Sequence, residues 1–269
     1  MLDSNGAVVA QLPASTRRGL NRVVWTMHLK APHVPPAVQL AQAGTQGPRI
    51  PPGTYTVRME KEGRTFTTPL AVGLDRRVTW TLADRQAQYE AAMKVYTLFN
   101  DESALFARIA GLREQVAAAQ KGHAPGDPLQ RRLADFDGQL DALRKRIVAT
   151  TEGGAITGEE RLREHTDQLY GAITSWDGPP SRYQLDNIEA LRGELGDISG
   201  KFEQLTTKQL PSINKALSGA GAHPLEVPPL SAFDDAAVPG RGGGGRPGSY
   251  PDPDAGDSRA LPADLRLWN

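Results

Sequence analysis

The stretch LQRRLADFDGQLDALRKRI, residues 129–147, decides the main part of the fold. Its large apolar side chains follow one another in alternating steps of four and three residues: Leu129, Leu133, Phe136, Leu140, Leu143 and Ile147. This spacing places all six on one face of an α-helix. A helix with a single apolar stripe cannot bury that stripe alone, so the stretch predicts partner helices.

Three more stripes with the same period surround this stretch. The first, interrupted by Glu102 where an apolar residue would complete it, consists of Val95, Leu98, Leu105, Ile109, Leu112, Val116 and Ala119. The next consists of Leu162, His165, Leu169, Ile173 and Trp176, and the last of Ile188, Leu191, Leu195, Ile198, Phe202 and Leu205, continuing weakly to Leu217. We expect residues 81–217 to form an antiparallel helical bundle.

Two helix starts can be assigned from capping residues. Thr81 is predicted to cap the first helix, with Asp84 at the third position. Thr157, with Glu160 three residues later, predicts a capping box ahead of the third stripe. Gly- and Pro-containing breaks separate the four predicted helices.

Residues 1–80 change to the period of two that is typical of β-strands. Strands are predicted at residues 8–12 and 21–29, and a hairpin is predicted to turn at Glu62-Gly63. In its first strand Tyr55, Val57 and Met59 share one face. We expect a small antiparallel β-sandwich that lacks its own beginning.

Residues 218–269 contain many prolines and the run Gly242 to Gly245, which deny them a continuous helix or central strand. They predict an irregular tail that is extended or disordered. Its apolar residues are candidate anchors to the ordered modules: Leu225, Val227, Leu230, Phe233, Leu265, Leu267 and Trp268.

Composition excludes several classes of protein. The chain has 269 residues, with 31 basic and 31 acidic side chains, and it lacks the net positive charge expected of a dedicated nucleic-acid binder. It has no cysteine, so thiol nucleophiles, disulfides and Cys-ligated metals are excluded. No apolar run is long enough for a transmembrane segment, and residues 1–10 lack the features of a signal peptide. Charge is nevertheless uneven, because residues 1–81 carry 10 basic and 4 acidic side chains.

No motif in the sequence specifies a catalytic, cofactor-binding or metal-binding residue. The five histidines, at positions 28, 33, 123, 165 and 223, never show the spacing that places two ligands on one helical face. His165 is interpreted as a partly buried residue of the bundle. The glycine run lacks the Lys-Ser/Thr of a phosphate loop, and the acidic residues at 252–257 lack the glycine and distal Glu of a calcium loop. We therefore predict no cofactor.

Three segments of the first 80 residues are similar to a known family: residues 19–25 (GLNRVVW), residues 50–58 (IPPGTYTVR) and residues 69–72 (PLAV). They resemble the C-terminal region of bacterial BNR-repeat, sortilin-like β-propeller proteins, which are often labelled glycosyl hydrolases. The hairpin part also resembles the Ig-like module of flagellar hook-capping proteins. Residues 75–77, Asp-Arg-Arg, depart from the Asp-Pro-Arg common in the family.

The resemblance implies an α+β multi-module chain. It would comprise an Ig-like β-sandwich at 1–80, an antiparallel helical bundle at 81–217 and the irregular tail at 218–269. In the family, catalysis would belong to a propeller that precedes this region. The implied role is that of a non-catalytic accessory, interaction or structural module of a secreted, periplasmic or cell-envelope protein. Its implied partner is another protein or an upstream propeller.

Two alternatives remain open. The chain could be a supporting region of a glycoside hydrolase whose catalytic propeller is absent here, or a free-standing protein for oligomerisation or partner binding through its helical stripes. The sequence leaves the oligomeric state undecided.

Overall fold

The computed structural model describes residues 1–13, 18–122, 124, 126–151 and 158–230, all within one compact unit, Met1–Val238. It is a mixed α and β structure with one two-stranded antiparallel sheet in the described part. Predictions for His123, Thr157, Phe233, the glycine run and the residues after it concern positions outside the described residues.

The helices are α1 (Leu82–Gln120), α2 (Pro128–Ile147), α3 (Leu162–Thr174), α4 (Arg182–Lys208) and α5 (Leu210–Gly219). Only Gln209 separates α4 from α5, so the four predicted helical stretches are all present. Thr81 caps α1 as predicted: its Oγ1 accepts a hydrogen bond from the Asp84 N–H (3.1 Å), and an Asp84 carboxylate oxygen accepts one from the Thr81 N–H (2.9 Å). No helix in the described ranges combines the length and apolar character needed to cross a membrane.

The long helix α1 is the axis about which α2, α3 and α4 pack, whereas α5 packs against α2 and α4. With 39 residues α1 is about 58 Å long. Helix α2 runs antiparallel to the second half of α1, where Arg113 bonds to Asp137. Helix α3 runs antiparallel to the first half, from the contact of Gln88 with the Ile173 carbonyl to that of Glu102, at the middle of α1, with Thr166. Helix α4 returns parallel to α1, and Arg108 of α1 lies 5.2 Å from the centre of the Phe202 ring.

The core of this helical body consists of the predicted stripes. In α2 all six members are buried, and Ile109, Leu112 and Val116 of α1 are fully enclosed. Glu102, the interruption in the α1 stripe, is buried as well. The periodicity therefore gave the correct phase for α1, α2 and α4.

Helix α3 buries Leu162, Leu169 and Ile173 of the predicted stripe, but it starts later than predicted and its buried face is wider than the stripe. It begins at Leu162, where a Glu164 carboxylate oxygen accepts a hydrogen bond from the Arg161 N–H (3.1 Å). Thr166 and Tyr170 are buried, whereas His165 is only partly buried and Trp176 lies exposed beyond the helix. Tyr170 fills the space beside Phe99 of α1, with ring centres 5.8 Å apart.

The sheet is a hairpin of β1 (Gly53–Lys61) and β2 (Arg64–Val72). Its turn is the predicted one: Glu62 and Gly63 both have positive φ, 51° and 73°, as a two-residue type I′ turn requires. A small cluster under the base of the hairpin is formed by Met1, Ile50 and Tyr55, with Trp25 and Val57 packed against it.

The other two predicted strands are not continuous strands. Residues 8–12 and 21–29 make only isolated bridges, Leu2 to Val8 and His28 to Arg49, and Met27 has a φ of 61° that interrupts extended pairing. Strand propensity alone does not make a sheet when no neighbouring strand accepts the pairing. The Ig-like sandwich is therefore not confirmed by the described residues.

The long Pro- and Gly-rich connection after residue 30 lies across the helical body. Asp167 of α3 accepts hydrogen bonds from the N–H groups of Gln42 (3.0 Å) and Gly44 (2.8 Å), and the Tyr170 hydroxyl donates to the Gln46 carbonyl (3.0 Å). The residues after α5 also return along α1. Leu225 is buried, whereas Leu230 is exposed.

Candidate functional site

The histidines at described positions do not form a site. His28 Nδ1 lies 2.7 Å from the Gly47 carbonyl oxygen, and His165 Nε2 lies 3.4 Å from a Glu160 carboxylate oxygen, with nearly half of the His165 side chain exposed. His165 is therefore partly buried, as predicted. Within the described residues no group of three or more potential metal ligands comes together.

The hairpin exposes large apolar side chains to solvent. Every residue of β2 from Arg64 to Ala71 is exposed. In the register of the two strands, Met59 lies opposite Phe66 and Tyr55 opposite Leu70, so these residues share one face. Tyr55 is buried, but three other members of this face are open to solvent: Met59 and Phe66 near the turn and Leu70 beside Tyr55 are 53%, 49% and 39% exposed. We call these three residues the exposed apolar face.

The exposed apolar face is the densest part of a wider pattern. Most of the exposed large apolar side chains in the described ranges precede helix α1: Val8, Leu20, Val23, Val24, Met27, Val38, Leu40, Met59, Phe66, Leu70 and Val78. Single apolar residues on a surface are ordinary, but a contiguous apolar face on a sheet indicates a binding surface. The hairpin also carries Arg58, Lys61 and Arg64 beside Glu60 and Glu62, which makes its outer end amphipathic.

A set of polar contacts fixes the base of the hairpin to the helices. The buried Arg85 of α1 donates to the carbonyls of Arg49 (2.6 Å) and Ile50 (3.1 Å), the residues just before the strand pair. Burial lowers the pKa of the Arg85 guanidinium, and the nearby Asp177 carboxylate opposes that effect. Gln88, one turn on, donates to the Ile173 carbonyl (2.8 Å). The hairpin is therefore held to the start of α1 by hydrogen bonds made inside the protein.

Two tryptophans complete this junction. Trp80 and Trp176 pack edge to face with ring centres 5.4 Å apart. A Cβ atom at Gly178 would lie within 3.1 Å of both rings, so a side chain at this position would press against the two indoles. Asp177, which lies between Trp176 and Gly178 in the chain, accepts hydrogen bonds from the Arg49 guanidinium at 3.1 Å.

A buried polar cluster lies where α2, α3 and α1 meet. The Thr166 hydroxyl donates to Glu102 Oε1 at 2.6 Å, while Glu102 Oε2 has no partner among the described residues. Arg163 Nη1 donates to Glu164 Oε1 at 2.8 Å, and Glu164 Oε2 accepts from the Ala149 N–H at 3.1 Å. The cluster ties the connection between α2 and α3 to the core of the bundle.

Burial raises the pKa of Glu102 to about 8. The hydrogen bond from Thr166 and the positive charge of Arg163 act in the opposite direction, whereas the charges of Glu164 and Glu194 add to the increase. Glu102 is 0% exposed, so its carboxyl group cannot reach a substrate from solvent. It is a structural proton-binding group, and the break in the α1 stripe was the signal for it in the sequence.

One shallow groove lies between the N-terminal connection and the α2–α3 connection, lined by Pro36, Ala37, Val38, Arg144, Val148, Ala149 and Thr150. Its charged member, Arg144, already donates to Asp141 at 2.8 Å. The groove brings no acid and base together, so its geometry offers no catalytic pair.

Alternation in the sequence predicted that Tyr55, Val57 and Met59 share one face of the hairpin. It did not predict that the part of this face near Met59 is exposed to solvent. The residues of the junction and the buried cluster, Arg85, Gln88, Arg163 and Glu164, were not identified from the sequence. Comparison of the chain with protein-family models, curated proteins and solved structures found no match.

Proposed function

We propose that this chain is a non-catalytic interaction module whose hairpin binds a protein partner, within a secreted or cell-envelope protein of the propeller class that the sequence resembles. One observation carries the proposal: the exposed apolar face of Met59, Phe66 and Leu70 stands on a hairpin that is fixed to a well-packed helical body. Burial of such side chains against a partner yields about 25 cal/mol for each Å² removed from water.

The helical body supports this role because it provides a rigid base. The contacts of Arg85 with the carbonyls of Arg49 and Ile50 set the position of the hairpin relative to α1 before any partner arrives. A surface that is already ordered loses less conformational entropy on binding than a mobile loop does. The implied partner is another protein, an upstream propeller domain in particular. An Ig-like arrangement of residues 1–80, completed by additional strands, belongs to this proposal.

Photocrosslinking in the source cells would test the binding surface. A photoreactive amino acid replaces Phe66 in one variant and Tyr183, an exposed aromatic residue on α4, in the matched control. We expect a discrete cross-linked polypeptide from position 66 and none from position 183. Equal cross-linking at both positions, or none at position 66, would overturn the proposed surface.

Two further measurements bear on the wider context. The intact mass and N-terminal sequence of the native protein are expected to reveal a species larger than 29.0 kDa with a propeller ahead of this region. Hydrolysis of aryl glycosides by the purified chain alone would contradict a non-catalytic role. The absence of such hydrolysis is the expected result.

A further inference from the structure

The outer edge of strand β1 is open beyond its contact with the chain's first residues. At Thr56 both backbone groups are paired with Leu2, N–H to O and O to N–H, each at 2.9 Å. Backbone groups alternate in direction along a strand, so those of Arg58 and Glu60 point to the same outer edge as those of Thr56. None of the described residues pairs with the outward backbone groups of Arg58 or Glu60.

The opposite edge of the hairpin is less suited to pairing. Thr56 lies opposite Pro69, and because the backbone groups of Thr56 face Leu2, those of Pro69 face outward on the other side. Proline has no N–H, so the outer edge of β2 lacks a donor in its middle. Proteins commonly use proline to protect an edge strand in this way. The open edge is therefore that of β1.

We propose that the open edge of β1 pairs with β1 of a second copy of the chain, antiparallel about a two-fold axis at Met59. Within each copy the Arg58 guanidinium already contacts the Glu60 carboxylate. In this register Arg58 of each copy also lies opposite Glu60 of the other, so the two ion pairs join into a group of four alternating charges. The next registers that keep the backbone hydrogen bonds are shifted by two residues. One of them places Arg58 opposite Arg58, and the other places Glu60 opposite Glu60. Charge therefore selects a single register.

The pairing also extends the apolar surface. Met59 lies opposite Phe66 within each hairpin, and the two Met59 side chains would meet at the axis. Four apolar side chains, one Phe66 and one Met59 from each copy, would then form a row across a continuous four-stranded sheet. Sheets of three or more strands are more stable than isolated hairpins.

The length of the pairing is set by its surroundings. Leu2 occupies the edge at Thr56, and the turn at Glu62-Gly63 ends the strand, so the backbone bonds come from Arg58 and Glu60 alone. Such a short interface predicts a dimer whose population depends on protein concentration and on salt. The dimer uses the backbone edge of β1, whereas the proposed partner covers the exposed apolar face, of which Met59 would also contact its symmetry mate.

Sedimentation velocity over a range of protein concentrations tests the proposal. The unmodified chain is expected to show a reversible dimer. Glu60→Arg sets like charges opposite each other at the edge and is expected to raise the dissociation constant at least tenfold. The double variant Arg58→Glu/Glu60→Arg restores opposite charges and is expected to restore the dimer, with circular dichroism confirming that each variant folds.

Thr67→Pro is the matched control on the other edge. Its N–H points outward on β2, so its loss leaves the hairpin ladder and the proposed dimer intact. The proposal is overturned by a monomer at every concentration, by a dimer lost in Thr67→Pro but not in Glu60→Arg, or by a charge-swapped variant that stays monomeric. A monomeric chain that still cross-links through position 66 to another protein would overturn the dimer alone and leave the proposed function standing.

Discussion

Glu102 makes the stability of the helical body depend on pH, and Glu102→Gln isolates its contribution. The side chain is 0% exposed, and its burial raises the pKa from 4.5 to about 8. The amide of glutamine has nearly the same shape and can still accept the hydrogen bond from the Thr166 hydroxyl. It cannot titrate, so the variant removes the proton-linked part of the energetics.

The sign of the effect follows from proton binding. The folded chain holds the Glu102 proton more tightly than the unfolded chain does, so the contribution of Glu102 to stability is greatest below pH 4.5 and falls as the pH rises toward 8. At pH 7 the folded carboxyl is still protonated whereas the unfolded one is ionised. At 1.36 kcal/mol for each pH unit above 4.5, the loss amounts to about 3 kcal/mol.

Urea unfolding followed by circular dichroism at several pH values between 4.5 and 8 measures this loss. The difference in unfolding free energy between Glu102→Gln and the unmodified chain is expected to grow in favour of the variant by about 3 kcal/mol from pH 4.5 to pH 7. Glu114→Gln, at an exposed position of the same helix, is the control and is expected to track the unmodified chain. Parallel curves for the unmodified chain and Glu102→Gln would refute the reasoning, because Glu102 would then titrate alike in both states.

Three further substitutions test the packing. Leu140→Asp places a carboxylate at a fully buried position of α2 and is expected to lower the free energy of unfolding by about 4 kcal/mol. The control Asp135→Ala, at an exposed position, is expected to change it by less than about 0.5 kcal/mol, and equal shifts in Tm for the two variants would contradict the phase of α2. Gly47→Ala brings a Cβ within 2.4 Å of the Leu29 carbonyl oxygen and is expected to lower the free energy of unfolding by about 2 kcal/mol. Gly138→Ala, which has open space on α2, is expected to raise it by about 0.5 kcal/mol, and chemical denaturation measures both changes. Arg85→Met leaves two carbonyls at the hairpin base without their donor and is expected to cost about 2 kcal/mol and to increase hydrogen exchange in β1 more than in α2.

The helices could be predicted from the sequence because each has a stripe that packs along most of its length. In α2 the six-residue stripe coincides with the buried face, and even the gap at Glu102 kept the phase of α1. The start and the full buried face of helix α3 were harder to predict, because the helix has only 13 residues and is contacted by the N-terminal connection as well as by other helices. Tyr170 is buried because it reaches the Gln46 carbonyl across that connection, a contact between residues far apart in sequence.

The β region shows a different limit of sequence reasoning. Alternation correctly predicted the hairpin and the shared face of Tyr55, Val57 and Met59, because a strand's period depends only on its own residues. It did not predict whether residues 21–29 would find a pairing partner, which depends on distant backbone. It also could not show what covers the apolar side, and for the same reason the exposed apolar face was not identified from the sequence.

The helical body and the hairpin are stabilised by different interactions, and this difference bears on function. The helical body is stabilised by apolar side chains enclosed on several sides, whereas the hairpin is anchored at its base by Arg85 and by the small cluster around Tyr55. Its outer half gains little from burial, so local opening there requires far less free energy than unfolding of the helices. A partner that covers Met59 and Phe66 would stabilise that half in proportion to its occupancy. Binding at the hairpin would thus raise the free energy of local opening in an already ordered hairpin, while the helical body beneath it remains unchanged.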